Sequence, residues 1–279
     1  MATLGCGSRE HLTSSATRRR REPHAQVVRY GDGLGPIAVA HRGGAGLAGE
    51  NSLAAFAMSH ALGLRHVETD VRLTRDGVPV LVHDATLRRT HGIDRAVADL
   101  VRRDLLDDLL TLADALDLFP DTGVALDVKD LAAAPAIADT LRHTASTSRV
   151  CVAGAWDRTL AALAVLAGPD LSVAMGWRSL LALIAASRTR APLIRRGRSS
   201  FAHVPLRLGR LPVFAEQVVH RAHRIGVRVL VWTVDDPATM HHLLDAGADG
   251  LITDRPDLLR EVLLSRDQWP APPMRDRIK

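Results

Sequence analysis

Aromatic side chains are scarce in this chain: Phe, Trp and Tyr make up 3% of its 279 residues, with a single tyrosine. Stacking is therefore not expected to be the main recognition device. Cysteine is nearly missing too. Cys6 falls in a polar stretch and Cys151 in an apolar run, which excludes a disulfide framework and suits a reducing, cytoplasmic setting. No apolar run is long enough to span a bilayer. The four arginines Arg18 to Arg21 are followed by EPHAQVVRYGDG rather than an apolar segment, so no signal peptide or twin-arginine leader is expected. A G-x-G-x-x-G turn is missing after the first apolar run, which argues against an open dinucleotide-binding sheet. Acids are missing from residues 181–210, which hold seven arginines. That block and an Arg-rich N-terminus account for the net charge of +5 and leave the remainder net acidic. Such blocks read as solvated surface or as attraction to an anionic substrate or lipid surface.

What is present is a long alternation. Residues 1–34 are polar, Arg- and Gly-rich and without period, and read as a disordered basic extension. From there to residue 265 short β-branched runs alternate with Ala- and Leu-rich runs, and residues 266–279 form a second tail. The extended runs are 37–41, 66–71, 79–83, 123–129, 149–153, 171–175, 200–204, 227–234 and 249–253. Helical runs are expected at 52–63, 104–118, 132–145, 157–167, 178–187, 212–225, 236–246 and 256–264. Near-continuous apolar strands separated by helices argue for a parallel sheet covered by helices. Nine extended runs are one more than a (β/α)8 barrel needs. The surplus has a local cause: RLTRDG between 66–71 and 79–83 has no room for a helix, and Asp76-Gly77 is a turn signal. Residues 79–83 should fold back beside 66–71, leaving an α/β TIM barrel with one extra hairpin. The nearly all-apolar run Ser179 to Ala186, flanked by arginines, reads as a barrel helix or as an interfacial membrane helix.

The chemistry concentrates between Ala40 and Thr90. His41 and His83 each end an apolar run, and Glu50, Glu68 and Asp70 lie between them. Side chains two apart on a strand share a face, so Glu68 and Asp70 project together, as do Asp127 and Lys129. Singly these groups have bland readings: a hydrogen-bonded structural histidine, a salt-bridge face with Arg65 and Arg72, a simple Asp127–Lys129 pair. Jointly they all fall at strand ends, where a barrel builds its active site. Converging carboxylates call for a cation, and all-oxygen ligands favour Mg2+ or Ca2+.

The stretches HRG, GENS and ETDVRLTRDGVPVLVHDATLRRT, with LDVK at 126–129, VLVWTVDD at 229–236 and GADGLITDRPDLL at 247–259, resemble the glycerophosphodiester phosphodiesterases. The resemblance spans residues 36 to 265. It implies a TIM barrel that hydrolyses small glycerophosphodiesters to sn-glycerol 3-phosphate and an alcohol, using a divalent cation. By motif position, His41 and His83 correspond to the acid/base pair, and Glu68, Asp70 and Asp127 to the metal ligands. Arg42 corresponds to a phosphate-contacting arginine, Glu50 and Asn51 to a conserved-type acidic turn beside the reacting groups, Lys129 to a substrate-site lysine and Trp232 to a pocket wall. The chain departs from the pattern at Gly49 (usually Pro), Ser52 (usually Thr), Asp235 (often Asn) and Asp127 (usually Glu). The last shortens the carboxylate reach by roughly 1.5 Å. The segment between Gly92 and Leu126 is expected to be short and helical, giving an open mouth. Such a mouth would also suit lysophospholipase D-like action at a membrane surface. The shortened acid would suit a barrel that binds phosphodiesters and cleaves them weakly. No motif supports nucleic-acid binding.

Overall fold

The computed structural model describes residues 29–33, 35–189, 197–208, 211–214 and 216–269. Eight strands form its frame: β1 (Ile37–Ala40), β2 (His66–Leu73), β3 (Gly123–Val128), β4 (Val150–Gly154), β5 (Ser172–Val173), β6 (Phe201–Pro205), β7 (Arg228–Trp232) and β8 (Gly250–Thr253). Each pairs in parallel with its sequence neighbour, and β1 also pairs with β8. The ring closes between β5 and β6 through an Ala174–Phe201 bridge, with Met175 N donating to Phe201 O at 2.8 Å. The result is the expected TIM barrel.

Eight helices cover it: α1 (Leu53–Ala61), α2 (Leu112–Leu118), α3 (Ala134–His143), α4 (Asp157–Ala167), α5 (Trp177–Ser187), α6 (Glu216–Arg224), α7 (Pro237–Asp245) and α8 (Pro256–Ser265). The two-residue period of the strands sorts the core. On β1, Ala38 and Ala40 face the helices, while Ile37 and Val39 join Ala125, Cys151, Phe201, Leu230 and Ile252 inside the barrel. The run Ser179 to Ala186 is part of α5, with Leu180, Leu183 and Ile184 buried against the barrel. Among the described residues no helix is long and apolar enough to cross a membrane.

The extra hairpin is as expected. Pro79–Leu81 runs antiparallel to β2, with Val71 opposite Leu81. Its turn is closed by Thr74, whose hydroxyl donates to Asp76 at 2.6 Å, and Gly77 supplies the left-handed φ of +81°.

Two helical expectations need correction. In 104–118 only Leu112–Leu118 is α-helical. The residues before it are claimed by the hairpin: Leu81 N donates to Leu110 O at 2.9 Å, and Thr111 bridges to Val80. Leu109 packs with Val80, Val82 and Leu100, so burial overrides local helix preference, and Thr111 then caps α2 by accepting from Asp114 N. In 212–225 the helix begins at Glu216, because Leu211–Pro212 pairs with Arg207–Leu208.

The extension expected over 1–34 lies outside the described residues except for 29–33, and there the packed chain reaches back further than residue 35. Tyr30 is buried inside the bottom of the barrel, edge-on to His66 at 5.3 Å and to Phe201 at 5.0 Å. Gly31 N donates to His66 Nε2 at 3.1 Å, and Arg228 donates to Gly31 O at 2.7 Å. At the other end Trp269 packs on the core under Arg260. Four arginines of the basic block, at 190, 195, 196 and 210, fall outside the described residues.

Candidate active site

A cavity of about 250 Å³ opens at the C-terminal ends of the strands. Eight of the ten residues expected at the site line it: His41, Arg42, Glu68, Asp70, His83, Asp127, Lys129 and Trp232. Glu50 and Asn51 do not, and stand behind the lining instead.

His41 follows β1 in a tight turn, His41–Gly43. The turn needs glycine at 43, where φ is +81° and a Cβ would meet the Phe56 ring at 2.6 Å. His41 Nδ1 hydrogen-bonds Asp254 Oδ1 at 2.8 Å, and Nε2 lies 3.8 Å from Glu68 Oε2. Burial alone would lower its pKa. The Asp254 hydrogen bond and the Glu68 and Asp254 charges outweigh that and raise it above the usual histidine value. His83 follows the hairpin strand, and its Nδ1 hydrogen-bonds Asp84 Oδ1 at 2.7 Å. Asp84 also accepts from Arg89 at 2.6 Å, and these hydrogen bonds, Arg89 first, pull its pKa down to about 2. Each histidine thus has Nδ1 committed to a carboxylate, which leaves Nε2 as the working nitrogen.

The carboxylates converge as the strand period requires. Glu68, Asp70 and Asp127 offer oxygens that all lie within 4.8 Å of one another. Asp70 is buried and held by Lys129 Nζ at 2.8 Å, Asn51 Nδ2 at 3.1 Å and Arg42 Nε at 3.5 Å. Burial opposes ionisation of Asp70, but Lys129 leads a set of partners that lower its pKa. Lys129 also pairs with Asp127 at 2.6 Å. Glu68 is different. It accepts from the Arg42 backbone N–H at 3.0 Å and has no Lys or Arg side chain in ion-pair reach among the described residues. Burial first, and the Asp70 charge second, push its pKa up. A like-charged, all-oxygen donor set with one carboxylate lacking a cation fits a hard divalent ion such as Mg2+ or Ca2+. Arg42 Nε, in ion-pair reach of Asp70, is buried and makes no hydrogen bond, a donor with capacity left for an anionic oxygen.

The two residues behind the lining are hydrogen-bonded to residues that form it. Glu50 is clamped by Arg42 at 2.9 Å and by Arg89 at 2.7 and 2.6 Å. Asn51, at φ +55°, is a buried junction: it donates to Asp70 and accepts from the Thr69 hydroxyl at 2.7 Å. Asp254 lies in the GLITDRPDLL stretch and Asp84 directly follows His83, but nothing in the sequence alone assigns either a role. The same holds for His203, which lines the cavity from β6. A single histidine in the strand run SFAHV carries no signal of its own.

A model of the glycerophosphoryl diester phosphodiesterase family matches residues 41–146 and 175–258. The chain belongs to this family. It is a phosphodiesterase in class, and the matched segments hold every cavity residue of the β1–β3 wall. A probable glycerophosphodiester phosphodiesterase 2 of Mycobacterium tuberculosis is 37% identical over 258 residues, covering 88% of this chain and 97% of that protein. A lysophospholipase D of Mus musculus is 24% identical, with 84% of each chain covered. Solved structures share the barrel. One is an Oleispira antarctica phosphodiesterase in complex with the product sn-glycerol-3-phosphate, with TM-score 0.67, 20% identity, and 82% of this chain and 97% of that one covered. A putative glycerophosphoryl diester phosphodiesterase of Silicibacter pomeroyi has TM-score 0.69 at 22% identity, with 87% and 97% covered.

Proposed function

We propose that the protein hydrolyses glycerophosphodiesters to sn-glycerol 3-phosphate and an alcohol, with His41 and His83 as the acid/base pair. One observation carries this reading. Both histidines face one cavity with Nδ1 held by a carboxylate, at 2.8 Å and 2.7 Å, beside three convergent carboxylates. Glu68, Asp70 and Asp127 would hold a Mg2+ or Ca2+ ion. When bound, such an ion neutralises the phosphodiester and stabilises charge on the transferring phosphoryl group.

The side chains divide the remaining work. Arg42 offers its Nε, which makes no hydrogen bond, to a phosphate oxygen, and Lys129 holds Asp70 and Asp127 in place while adding positive charge. One imidazole Nε2 takes a proton from the attacking water as the water oxygen bonds to phosphorus. The other gives its proton to the leaving alkoxide as the second P–O bond breaks. Asp254 and Asp84 accept from Nδ1–H of the two rings, so Nε2 is bare on the ring that acts as base and carries the proton on the other, which acts as the imidazolium. With Cys151 a buried free thiol, we assign the enzyme to a reducing, cytoplasmic setting.

The test is release of sn-glycerol 3-phosphate from sn-glycero-3-phosphocholine and related diesters, with and without EDTA. Activity that survives EDTA would remove the cation from the reading, and normal turnover by His41→Ala or His83→Ala would remove that residue.

A second reading, lysophospholipase D-like cleavage at a lipid surface, is favoured by exposed apolar side chains on the catalytic side of the barrel. Leu131, Trp156 and Leu181 are each about half exposed, at 49%, 50% and 49%. Assaying lysophosphatidylcholine beside glycerophosphocholine separates the two, and absence of liposome binding at low salt counts against the lipid version. A binding barrel with weak catalysis rests on Asp127 alone, and the paired histidines speak against it.

A further inference from the structure

The two walls of the cavity differ in chemistry. The β1–β3 side carries the charged groups. The β4–β8 side is apolar, with Ala153, Met175, Trp232 and Ile252. One polar side chain interrupts that apolar side: His203 on β6. Ala202 and Val204, its strand neighbours, are fully buried toward the helices, so the strand period turns His203 inward. Trp232 Nε1 donates to the His203 backbone carbonyl at 3.0 Å, which fixes the indole against β6.

His203 Nε2 is buried and has no hydrogen-bond partner. Burial holds the ring neutral, with its pKa down at about 4. A neutral imidazole offers one donor and one acceptor. An unpaired buried nitrogen is costly, and such groups in native proteins call for a specific explanation. Neither the acid/base work nor phosphate binding supplies one here, because the groups for both lie on the other wall. What extends from a phosphate held at β1–β3 to the β6–β7 wall is the organic substituent. A glycerol moiety presents carbon to Met175 and Trp232 and hydroxyls to a neutral hydrogen-bonding group. The χ2 torsion of histidine is broad, so the ring can turn to an arriving hydroxyl without leaving its place.

We propose that His203 is the specificity residue of the cavity, hydrogen-bonding a hydroxyl of the glycerol moiety from the apolar wall. The proposal rests on the glycerophosphodiester reading above and adds which side chain tells glycerol from other alcohols. A substituent without hydroxyls leaves the imidazole unpaired, so the site discriminates against it.

The experiment compares binding of sn-glycerol 3-phosphate with binding of propyl phosphate, by calorimetry, in the wild-type protein, His203→Leu and His203→Gln. It also measures kcat and KM on sn-glycero-3-phosphocholine and on bis-p-nitrophenyl phosphate. The wild-type protein should bind glycerol 3-phosphate at least about tenfold more tightly than propyl phosphate. In His203→Leu that ratio should collapse to within about threefold, and kcat/KM on glycerophosphocholine should fall roughly tenfold to a hundredfold, at least about five times more than on bis-p-nitrophenyl phosphate. His203→Gln, which keeps a donor and an acceptor, should recover part of the ratio. Equal losses on both diesters, or a binding ratio that His203→Leu leaves unchanged, would overturn the proposal. Failure of the wild-type protein to release glycerol 3-phosphate, with the binding ratio still dependent on His203, would overturn the activity and leave the recognition standing.

Discussion

His41 and Asp254 are 213 positions apart in sequence and 2.8 Å apart in space. The contact joins the turn after β1 to the loop after β8, across the seam where the barrel begins and ends. It fixes the imidazole and helps to raise its pKa. Asp254→Asn keeps the shape and removes the charge. Its kcat should fall about tenfold to a hundredfold with little change in KM. The loss of a charge that favours the protonated ring lowers the His41 pKa, so the limb of the kcat/KM profile that belongs to His41 should move to lower pH. A pH profile identical to the parent's would deny Asp254 that role.

Asp127 is held by Lys129 and reaches less far than a glutamate would. Chelation should abolish turnover, and Mg2+ or Ca2+ should restore it. Cation binding also stabilises the fold by mass action, which gives a readout independent of activity. In thermal-shift titrations Asp127→Asn should need roughly tenfold more cation for the same rise in Tm, and Asp127→Glu should need less than the parent. Identical titration curves for all three proteins would remove Asp127 from the ligand set.

His66 is buried beneath the site, and burial pulls its pKa from 6.5 to about 4. In the unfolded chain the ring takes up a proton near pH 6.5, while in the folded chain it stays neutral until about pH 4. Acidification through this window therefore favours the unfolded state, and stability is lost as the pH falls and regained as it rises. The 6.5-to-4 difference corresponds to roughly 3–4 kcal/mol at 1.4 kcal/mol per unit. Urea melts at pH 4.5 and 7 should show a smaller difference in His66→Gln than in the parent. An equal difference would mean that His66 already titrates normally.

Tyr30 closes the barrel floor with its hydroxyl buried and unpartnered. Tyr30→Phe should leave stability within about 1 kcal/mol, because no hydrogen bond is lost. Tyr30→Ala should cost roughly 3–5 kcal/mol through the cavity it leaves under His66 and Phe201. Denaturant midpoints check both, and a tolerated alanine would show that the floor closes without this residue.

The barrel was legible because its strands are near-continuous apolar runs, all nine of which form. Glu68, Asp70, Asp127 and Lys129 were legible because a period of two dictates which side chains share a face. Three things escaped the sequence. Residues 104–111 have helical composition, yet Leu109 and Leu110 are drawn beneath the hairpin, a tertiary demand without local trace. Tyr30 sits in a stretch with no periodicity, and only the empty end of a closed barrel explains its burial. Asp254 meets His41 only where the barrel closes, and His203 reaches the cavity only through the packing of β6 into the ring, neither of which spacing along the chain encodes. Glu50 and Asn51 were found by motif, but their position behind the lining depends on arginine pairs and on a left-handed backbone at Asn51.

The split between the two cavity walls also follows the order of the chain. The charged and titratable side chains of one wall come from residues 41–129, and the apolar wall comes from residues 153–252. On the proposed function, reaction type and choice of diester are therefore written in separate, consecutive stretches, joined by the pairing of β3 with β4 and of β1 with β8 and by the reach of Asp254 back to His41. Substitutions in the later stretch can retune which diester is accepted while the earlier one goes on breaking the same bond.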